Sequence, residues 1–344
     1  MQRMLPGPEE GARGDLGHLL LVGSGAIARR HLANAKAMGL AASVTVLRRE
    51  PGPEDADLRN AGAEVVYSVG NALARAPRCA IVATPAPTHV AIASRLASAG
   101  LHLLVEKPIA ASSDDAANLI RMCRDRNVSL LVGYVLRFAP TLRRVREAIV
   151  EGRIGRIESA RADVGQYLPD WRPGRDYRTS VTARHDLGGG ALLELSHEFD
   201  YLRWLLGEAA AVRAWAGRLG ALDIDVEDAA DAIVQFVGGP LASVHLDLLR
   251  RCPSRTGRID GSEGSLEWDL LASETRWLYP HRAPVLLTTP EDGGTDMYRE
   301  ELSHFADCVA GRTTPSITGE DALETLRLVE AARTAAETGC EVRL

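Results

Sequence analysis

The stretch HLLLVGSGAIARRH, from His18 to His31, decides the fold. A continuous apolar run ends in glycine, and a helix-like segment follows directly. Gly23 permits a tight turn, Gly25 lets the backbone approach a pyrophosphate, and the small Ala28 allows the helix to pack close to the strand. A plain strand-to-helix turn is the alternative. We predict that the dinucleotide-binding turn consists of Gly23, Ser24, Gly25, Ala26 and Ile27.

The same pattern recurs in the first third of the chain. Apolar runs of strand length alternate with segments rich in Ala, Leu and Arg. These runs are SVTVLRR, CAIVATP, LHLLVEKP and VSLLVGYV. Strands that are buried on both faces have this composition when helices cross over between them. We therefore predict a doubly wound parallel sheet, a Rossmann domain, at residues 18–136, after a loose leader at residues 1–17 that lacks periodicity.

After Pro140 the pattern changes. A predicted helix at Thr141–Glu151 leads into alternating, turn-bounded runs, which indicate an antiparallel sheet. These runs are ESARADVGQY, AVRAWAGR, DAADAIVQFVGG, LASVHLDLL and GSLEWDL. Helical character returns at residues 191–206, at residues 295–310 and in a final helix that stops at Gly339. Residues 137–344 are thus predicted to form a second domain.

Composition excludes several classes of protein. A chain of 344 residues is too long for one ordinary core, and its 46% hydrophobic and 25% charged residues are typical of globular proteins. The net charge is −6, and the basic residues are spread along the chain without forming a basic stripe. We therefore expect no nucleic-acid partner. No apolar run approaches the roughly 20 residues of a membrane span, and the start lacks a signal-peptide core, which predicts a cytoplasmic protein. Five scattered cysteines predict neither a disulfide framework nor a thiolate zinc site.

Two arginines bear on the choice of cofactor. Arg48 and Arg49 end the second strand, where a carboxylate would normally bind the adenosine ribose of NAD. A guanidinium there can pair with a 2′-phosphate through two hydrogen bonds. This favours NADP(H), with NAD(H) possible. The alternative is that both arginines are solvated loop residues.

The segment LLVEKPIA places a lysine at the edge of the predicted parallel sheet where ligands bind in such folds. Pro108 biases Lys107 toward an extended conformation, which can aim its ammonium group. A lysine beside a nicotinamide ring can donate to a substrate oxygen whose charge changes as hydride moves. Lys107 is therefore a candidate catalytic residue.

Six motifs in order make the chain resemble the Gfo/Idh/MocA oxidoreductases, the family of glucose-fructose oxidoreductase and inositol dehydrogenase. They are GSGAIA, ATPAPTHV, EKP, VGYVLRF, the GGG segment with its histidine, and EDAADAIVQF with the later GSEGSLEWD. The resemblance implies a Rossmann domain and an α/β domain with a large, mainly antiparallel sheet, whose open face often makes dimers or tetramers. It implies hydride transfer between NAD(P) and a hydroxyl or carbonyl carbon of a sugar, inositol or related polyol.

The resemblance also assigns residues. Lys107 is implied as the catalytic lysine and His197 as the acid–base histidine. Further cofactor contacts are expected from Thr84, Pro85, His89 and Glu106. The motifs QYLPDW, DYR and the GGG segment look like a subgroup associated with bacterial polysaccharide or sugar-derivative assembly, which points to a modified or nucleotide-linked sugar.

The acidic partner of the histidine departs from the family pattern. The family spaces an acid four positions before the histidine, where this chain has Leu193, and the carboxylate here is Glu194, three positions before. Positions three and four apart face the same side of a helix, so Glu194 can still orient His197 or share its proton. The alternatives are a capping role for Glu194 and a satisfied interior histidine for His197.

The run QYLPDWRPGRDYR is a candidate substrate-capping loop, because aromatic faces pack on sugar rings and arginines bind carboxylates or phosphates. A plain surface or subunit-contact loop is the other interpretation. Arg137 is expected near the same crevice, with a structural ion pair as its alternative. The predicted substrate residues are Arg137, Tyr167, Trp171, Tyr177 and Arg178.

The tetrapeptide ELSH occurs twice, at residues 194–197 and 301–304. Two Glu-x-x-His helices belong to di-iron sites in four-helix bundles, but this chain has too many predicted strands for a bundle. We therefore predict no metal site. We interpret Glu301 and His304 as part of a surface-facing stretch of helix, and the repetition of ELSH as chance. A cofactor-binding sensor that lost its chemistry is the rival function, which the presence of both Lys107 and His197 disfavours.

Overall fold

The computed structural model describes residues 15–288 and 296–344, and its first sheet is six-stranded and entirely parallel. Its strands are β1 (Gly17–Val22), β2 (Ala41–Leu47), β3 (Glu64–Val66), β4 (Cys79–Val82), β5 (His102–Glu106) and β6 (Leu130–Gly133), in the order β3-β2-β1-β4-β5-β6. Its helices are α1 (Ala26–Ala37), α2 (Glu54–Asn60), α3 (Val69–Leu73), α4 (His89–Ser98) and α5 (Ser113–Asp125). The predicted Rossmann fold is confirmed. The three-residue strand β3 was not predicted.

Within the described residues the second sheet has nine strands, and each pair of neighbouring strands is antiparallel except one. The elements that follow β6 are α6 (Pro140–Val150), β7 (Ile157–Gly165), α7 (Ala191–Glu194), α8 (His197–Leu206), β8 (Ala209–Gly217), β9 (Ala229–Phe236), β10 (Leu241–Asp247), β11 (Ser254–Gly261), β12 (Ser265–Asp269), β13 (Glu274–Leu278), β14 (Val285–Thr288), α9 (Met297–Val309), α10 (Gly319–Thr338) and β15 (Val342–Arg343). Strands β7 and β10 form the parallel pair. The predicted mainly antiparallel sheet is confirmed.

The segment predicted as one helix at residues 191–206 is two helices, so that prediction was wrong. Leu195, with ψ of 24°, ends α7 before α8 begins at His197. The final helix ends at Gly339, which has a φ of +68° as predicted for a left-handed stop. The predicted start of α9 at Thr295 lies outside the described residues.

The last helices return to the first sheet. Helix α9 packs on α1, and α10 packs on both α5 and β8. Gly319 allows α10 to approach α5 closely, because any side chain there would clash: a Cβ would lie 2.7 Å from the Ile120 side chain. One buried cluster therefore includes residues from both sheets, and the division at residue 136 stays a prediction.

The predicted leader and the predicted lack of a membrane span remain to be compared with the structure. Residues 1–14 of the predicted leader lie outside the described residues. Among the residues that are described, no helix combines the length and the apolar character that crossing a membrane requires.

Candidate active site

A cleft of about 500 Å³ lies at the carboxyl edge of the parallel sheet, where the second sheet covers it. The first sheet contributes the α1 turn and the ends of β4 and β5. The second contributes the loop after β7, the α7–α8 junction and the start of β11. Its polar lining includes Thr84, Glu106, Lys107, Gln166, Arg172, Glu194, His197, Ser254, Arg255 and Tyr298.

The turn into α1 has the geometry that a dinucleotide needs. Gly23 has a φ of +104°, and a Cβ there would lie 2.6 Å from the Ala83 carbonyl oxygen, so only glycine fits. Gly25 has no atom within 4 Å of a Cβ position, which leaves its face open to a ligand. Helix α1 begins at Ala26 without a side-chain cap, so a diphosphate can accept from its first N–H groups. The residues therefore fit the dinucleotide that the sequence predicts.

Lys107 reaches across the cleft to the end of α7. Its Nζ donates to the backbone oxygen of Glu194 at 2.6 Å and to Oε1 of the same residue at 3.4 Å. The lysine side chain is 13% exposed. The ammonium is thus fixed by a carbonyl oxygen and keeps part of its surface toward the cleft.

His197 begins α8 and also lines the cleft. Its ring stands edge-on to Tyr134, with centroids 5.5 Å apart. Its Nδ1 is buried and has no hydrogen-bond partner among the described residues. Burial lowers the pKa of His197 well below its ordinary value, and the positive charges of Arg255 and Lys107 lower it further. The imidazole is therefore neutral and able to accept a proton.

Glu194 contacts the lysine through both its backbone oxygen and its carboxylate. The break between α7 and α8 removes the continuous helical face on which the expectation about Glu194 and His197 rested. Within residues 15–288 and 296–344, no hydrogen bond joins the two side chains, and Glu194 is paired with Lys107 instead. The expectation that Glu194 caps the start of the GGG helix also fails, because it ends α7.

Arg255 is a cleft residue that sequence reasoning missed. Its Nε and Nη2 donate to the two carboxylate oxygens of Glu198, each at 2.8 Å, and Glu198 is fully buried. This two-point contact fixes the guanidinium plane. In the sequence, only Glu198, the carboxylate directly after His197, hinted at a cationic partner. It could not show that this partner is Arg255, 57 positions away.

Arg137 forms the structural ion pair that is the alternative to its predicted substrate role. It is 6% exposed, and its Nε and Nη2 donate to Asp200 at 2.8 and 2.6 Å. Its Nη1 donates to Asp321 on α10. The guanidinium is occupied by carboxylates from two helices, which is the ion-pair alternative.

The candidate capping loop reaches the cleft only in part. Trp171 lines it, together with Gln166 and Arg172, which were not predicted as site residues. Tyr167 lies under the guanidinium of Arg251, 3.4 Å from the ring centroid.

The other two loop residues lie outside the cleft lining. The Tyr177 hydroxyl accepts from the backbone N–H of Asp223 at 3.1 Å, and the ring lines a smaller pocket of about 120 Å³ that shares Trp171 and Arg172. Arg178 is paired with Asp176.

The two arginines after β2 have different surroundings. Arg48 is 13% exposed and forms ion pairs with Glu54, at 2.7 Å, and with Asp55 on α2. Arg49 is 92% exposed, with only Glu50 3.6 Å away. Arg48 is therefore already neutralised by carboxylates, while the charge of Arg49 is available to a ligand.

The ATPAPTHV segment forms the loop after β4. Thr84 lines the cleft. His89 is buried below the loop, where Nε2 lies 2.6 Å from the Thr84 carbonyl oxygen and Nδ1 lies 2.9 Å from that of Pro108. His89 thus joins the loop that carries Thr84 and Pro85 to the loop that carries Lys107. Whether these residues contact cofactor stays a prediction.

The second ELSH segment does not face the surface throughout, so that interpretation was wrong. Glu301 is fully buried on α9. His304 is half-buried, and its Nε2 accepts from the backbone N–H of Ser316 at 2.9 Å. The two residues have separate surroundings and do not belong to one site with His197.

Comparison with known proteins agrees with this geometry. Residues 18–134 match the oxidoreductase family with an NAD-binding Rossmann fold, and residues 142–267 match the GFO/IDH/MocA C-terminal domain. The 1,5-anhydro-D-fructose reductase of Ensifer adhaerens is 30% identical over 322 residues, which are 91% of this chain and 87% of that protein. The D-xylose 1-dehydrogenase (NADP(+)) 2 of Haloferax volcanii is 27% identical over 255 residues, 72% of this chain and 74% of that protein.

A solved structure shares the whole architecture. The WlbA dehydrogenase of Bordetella pertussis, in complex with NADH and UDP-GlcNAcA, superposes with a TM-score of 0.83 at 26% identity. The match covers 96% of this chain and 99% of that one. The similarity therefore extends across both sheets.

Proposed function

This chain belongs to the Gfo/Idh/MocA family of NAD(P)-binding oxidoreductases, and from that premise we propose that it transfers hydride between a nicotinamide cofactor and a CH–OH or C=O carbon of a sugar or polyol. One observation carries the proposal. Lys107, directly after β5, and His197, at the start of α8, line one cleft beside an open dinucleotide turn.

The two residues divide the proton chemistry. A nicotinamide cofactor bound by the α1 turn would supply the hydride acceptor for oxidation of an alcohol carbon, or the hydride donor for reduction of a carbonyl carbon. In oxidation, the neutral imidazole of His197 accepts the hydroxyl proton, while the ammonium of Lys107 donates a hydrogen bond to the same oxygen. In reduction, the protonated imidazole returns that proton to the oxygen.

The surrounding charges suit this division. Lys107 and Arg255 hold His197 neutral and also stabilise negative charge on the reacting oxygen. Glu194 fixes the lysine through its backbone carbonyl oxygen, so the ammonium is positioned before substrate arrives. Glu194 therefore acts through Lys107 in our proposal and is a positioning residue.

For the cofactor, we propose NADP(H) as the preferred form, with NAD(H) also bound. The support is Arg49, which follows β2 and has an exposed charge, since an arginine near the end of this strand can accommodate a 2′-phosphate. Arg48 supports the preference less, because Glu54 and Asp55 already neutralise it.

For the substrate, we propose a modified or nucleotide-linked sugar. The cleft presents Arg172 and Arg255 with Trp171, a set that suits a sugar ring bearing an anionic group. Two of the five hydrogen-bonding N–H groups of Arg255 are directed to Glu198, which leaves its Nη1 without a partner among the described residues. The WlbA dehydrogenase binds a UDP-linked sugar acid and has the same fold, which adds support.

The proposal is tested by screening sugars, polyols, sugar acids and nucleotide-linked sugars for formation of reduced nicotinamide. Each compound is tried with both oxidised cofactors, and the Lys107→Met variant serves as the blank. Turnover that depends on Lys107 supports the function. Consumption of both reduced cofactors is followed in the same way with the corresponding carbonyl compounds, and cofactor binding without turnover in either direction would favour the sensor.

A further inference from the structure

Three titratable side chains from three elements meet beneath the cleft. Glu301 on α9 faces α1, where His31 is fully buried, and both approach Glu106 at the end of β5. One oxygen or nitrogen atom of each lies within 4.8 Å of the others. His31 Nε2 is 2.8 Å from Glu106 Oε1. Glu106 alone of the three lines the cleft, beside Lys107.

Glu301 lacks any compensating contact. Both of its carboxylate oxygens are buried without a hydrogen-bond partner among the described residues, as is Nδ1 of His31. An ionised carboxylate in such a place is strongly unfavourable, and a second carboxylate nearby makes it more so. Burial raises the pKa of Glu301 well above its ordinary value, and the charge of Glu106 raises it further.

The cationic side chains near Glu301 have other partners. The Arg30 guanidinium stacks on Tyr298, 4.4 Å from the ring centroid, Arg255 is paired with Glu198, and Lys107 with Glu194. Tyr298, one turn before Glu301, stands edge-on to His31. The titratable and charged groups around Glu301 are Arg30, His31, Glu106, Lys107, Arg255, Tyr298, Glu300 with its partner Arg143, and His304.

We propose that Glu301, in the carboxyl pair it forms with Glu106, holds one proton, and that the pair releases this proton when oxidised cofactor binds and regains it with reduced cofactor. The proposal rests on the proposed function, because it needs the nicotinamide ring in this cleft. The oxidised ring carries a positive charge and the reduced ring is neutral. A second negative charge on the pair is therefore stabilised only by the oxidised ring, and the proton leaves through Glu106 to the water of the cleft.

The sign of the effect follows by linkage. As pH rises, the pair loses its proton and becomes doubly negative, so oxidised cofactor binds more tightly while reduced cofactor binds equally well. One linked proton changes the ratio of the two dissociation constants by at most about tenfold per pH unit. Reciprocally, binding of oxidised cofactor at neutral pH releases a proton.

The test is calorimetric titration of oxidised and reduced cofactor in buffers of different ionisation enthalpy, which counts the protons released. Wild type is expected to release a proton with the oxidised form only. Glu301→Gln keeps the shape and removes the acid, so release and the pH dependence of the affinity ratio should both vanish. Glu300→Gln, on the same helix but 40% exposed in its side chain, is the matched control and should behave as wild type.

A second measurement does not depend on the variant folding. Infrared difference spectra of wild type should show the carbonyl stretch of a protonated carboxylic acid that disappears when oxidised cofactor binds. Tight binding of both cofactors without proton release, or release retained in Glu301→Gln, would overturn the proposal and leave the proposed function intact. Failure to bind either cofactor would overturn the proposed function. Stoichiometric binding of a divalent cation, such as Mn²⁺, that Glu301→Gln abolishes would show a metal site instead.

Discussion

The surroundings of His197 set the pKa of its imidazole. Burial and the charges of Lys107 and Arg255 lower its pKa well below the ordinary value, so the ring becomes protonated only at acid pH. Because oxidation needs the neutral ring, activity should persist below the ordinary histidine range and fall as pH drops through the lowered pKa. His197→Asn should reduce turnover by about 10²- to 10⁴-fold and remove this acid limb.

The pH profile of kcat/KM measures this directly. His304→Asn, in the second ELSH segment, is the control and should keep both rate and profile. Glu194→Gln should have a smaller effect than His197→Asn, because Lys107 is held mainly by the backbone carbonyl oxygen at 2.6 Å. An unchanged acid limb in His197→Asn would remove the histidine from the mechanism.

The cofactor preference also depends on single residues. Arg49→Ala should weaken NADP binding by roughly tenfold, or about 1.4 kcal/mol, with little change for NAD, because an exposed guanidinium contributes a partly screened contact to a 2′-phosphate. Arg48→Ala should disturb its ion pairs with Glu54 and Asp55 more than binding. Fluorescence titration of both cofactors at two salt concentrations tests this. Equal or tighter NAD binding by the unmodified protein would contradict it.

At the scale of elements, Arg137 joins three parts of the chain. It follows β6 and contacts Asp200 on α8 and Asp321 on α10. Removing one partner of a buried ion pair costs about 3–5 kcal/mol, because the other charge stays buried and unpaired. Arg137→Met should therefore lower the free energy of unfolding by this amount in urea titrations.

The matched control is Arg178→Met, which removes an exposed pair with Asp176 and should change stability by no more than about 1 kcal/mol. Both arginines were predicted as substrate residues, so the comparison tests whether Arg137 has a structural role instead. If Arg137→Met left stability unchanged and raised KM alone, the structural role would be contradicted and the substrate role supported.

A helix or strand could be predicted from the sequence when its own residues carry a clear pattern. Continuous apolar runs predicted β1, β2, β4, β5 and β6, since burial on both faces leaves a strong pattern. β3 has only three residues, and β11 begins SRTGR, with no apolar alternation to detect. The break between α7 and α8 was missed because Leu195 and Ser196 carry no helix-breaking signal.

At the scale of the whole molecule, the site depends on contacts between distant parts of the chain. The motifs predicted Lys107 and His197, but not that Glu194 would hold the lysine 87 positions away. Arg255 and Glu301 were missed because nothing local distinguishes a cleft arginine from a surface one, or a buried glutamate from an exposed one. The position of Arg255 follows from the pairing of β11 within the second sheet, and that of Glu301 from the packing of α9 against α1.

The central claim is that Lys107 stabilises the reacting oxygen during hydride transfer. The most direct measurement is a single turnover of Lys107→Met with saturating cofactor and an active sugar, followed by nicotinamide absorbance. Methionine keeps the stem and removes the donor, so cofactor affinity should stay within a few fold while the transfer rate falls by about 10²-fold or more. A transfer rate within about tenfold of wild type would contradict the claim.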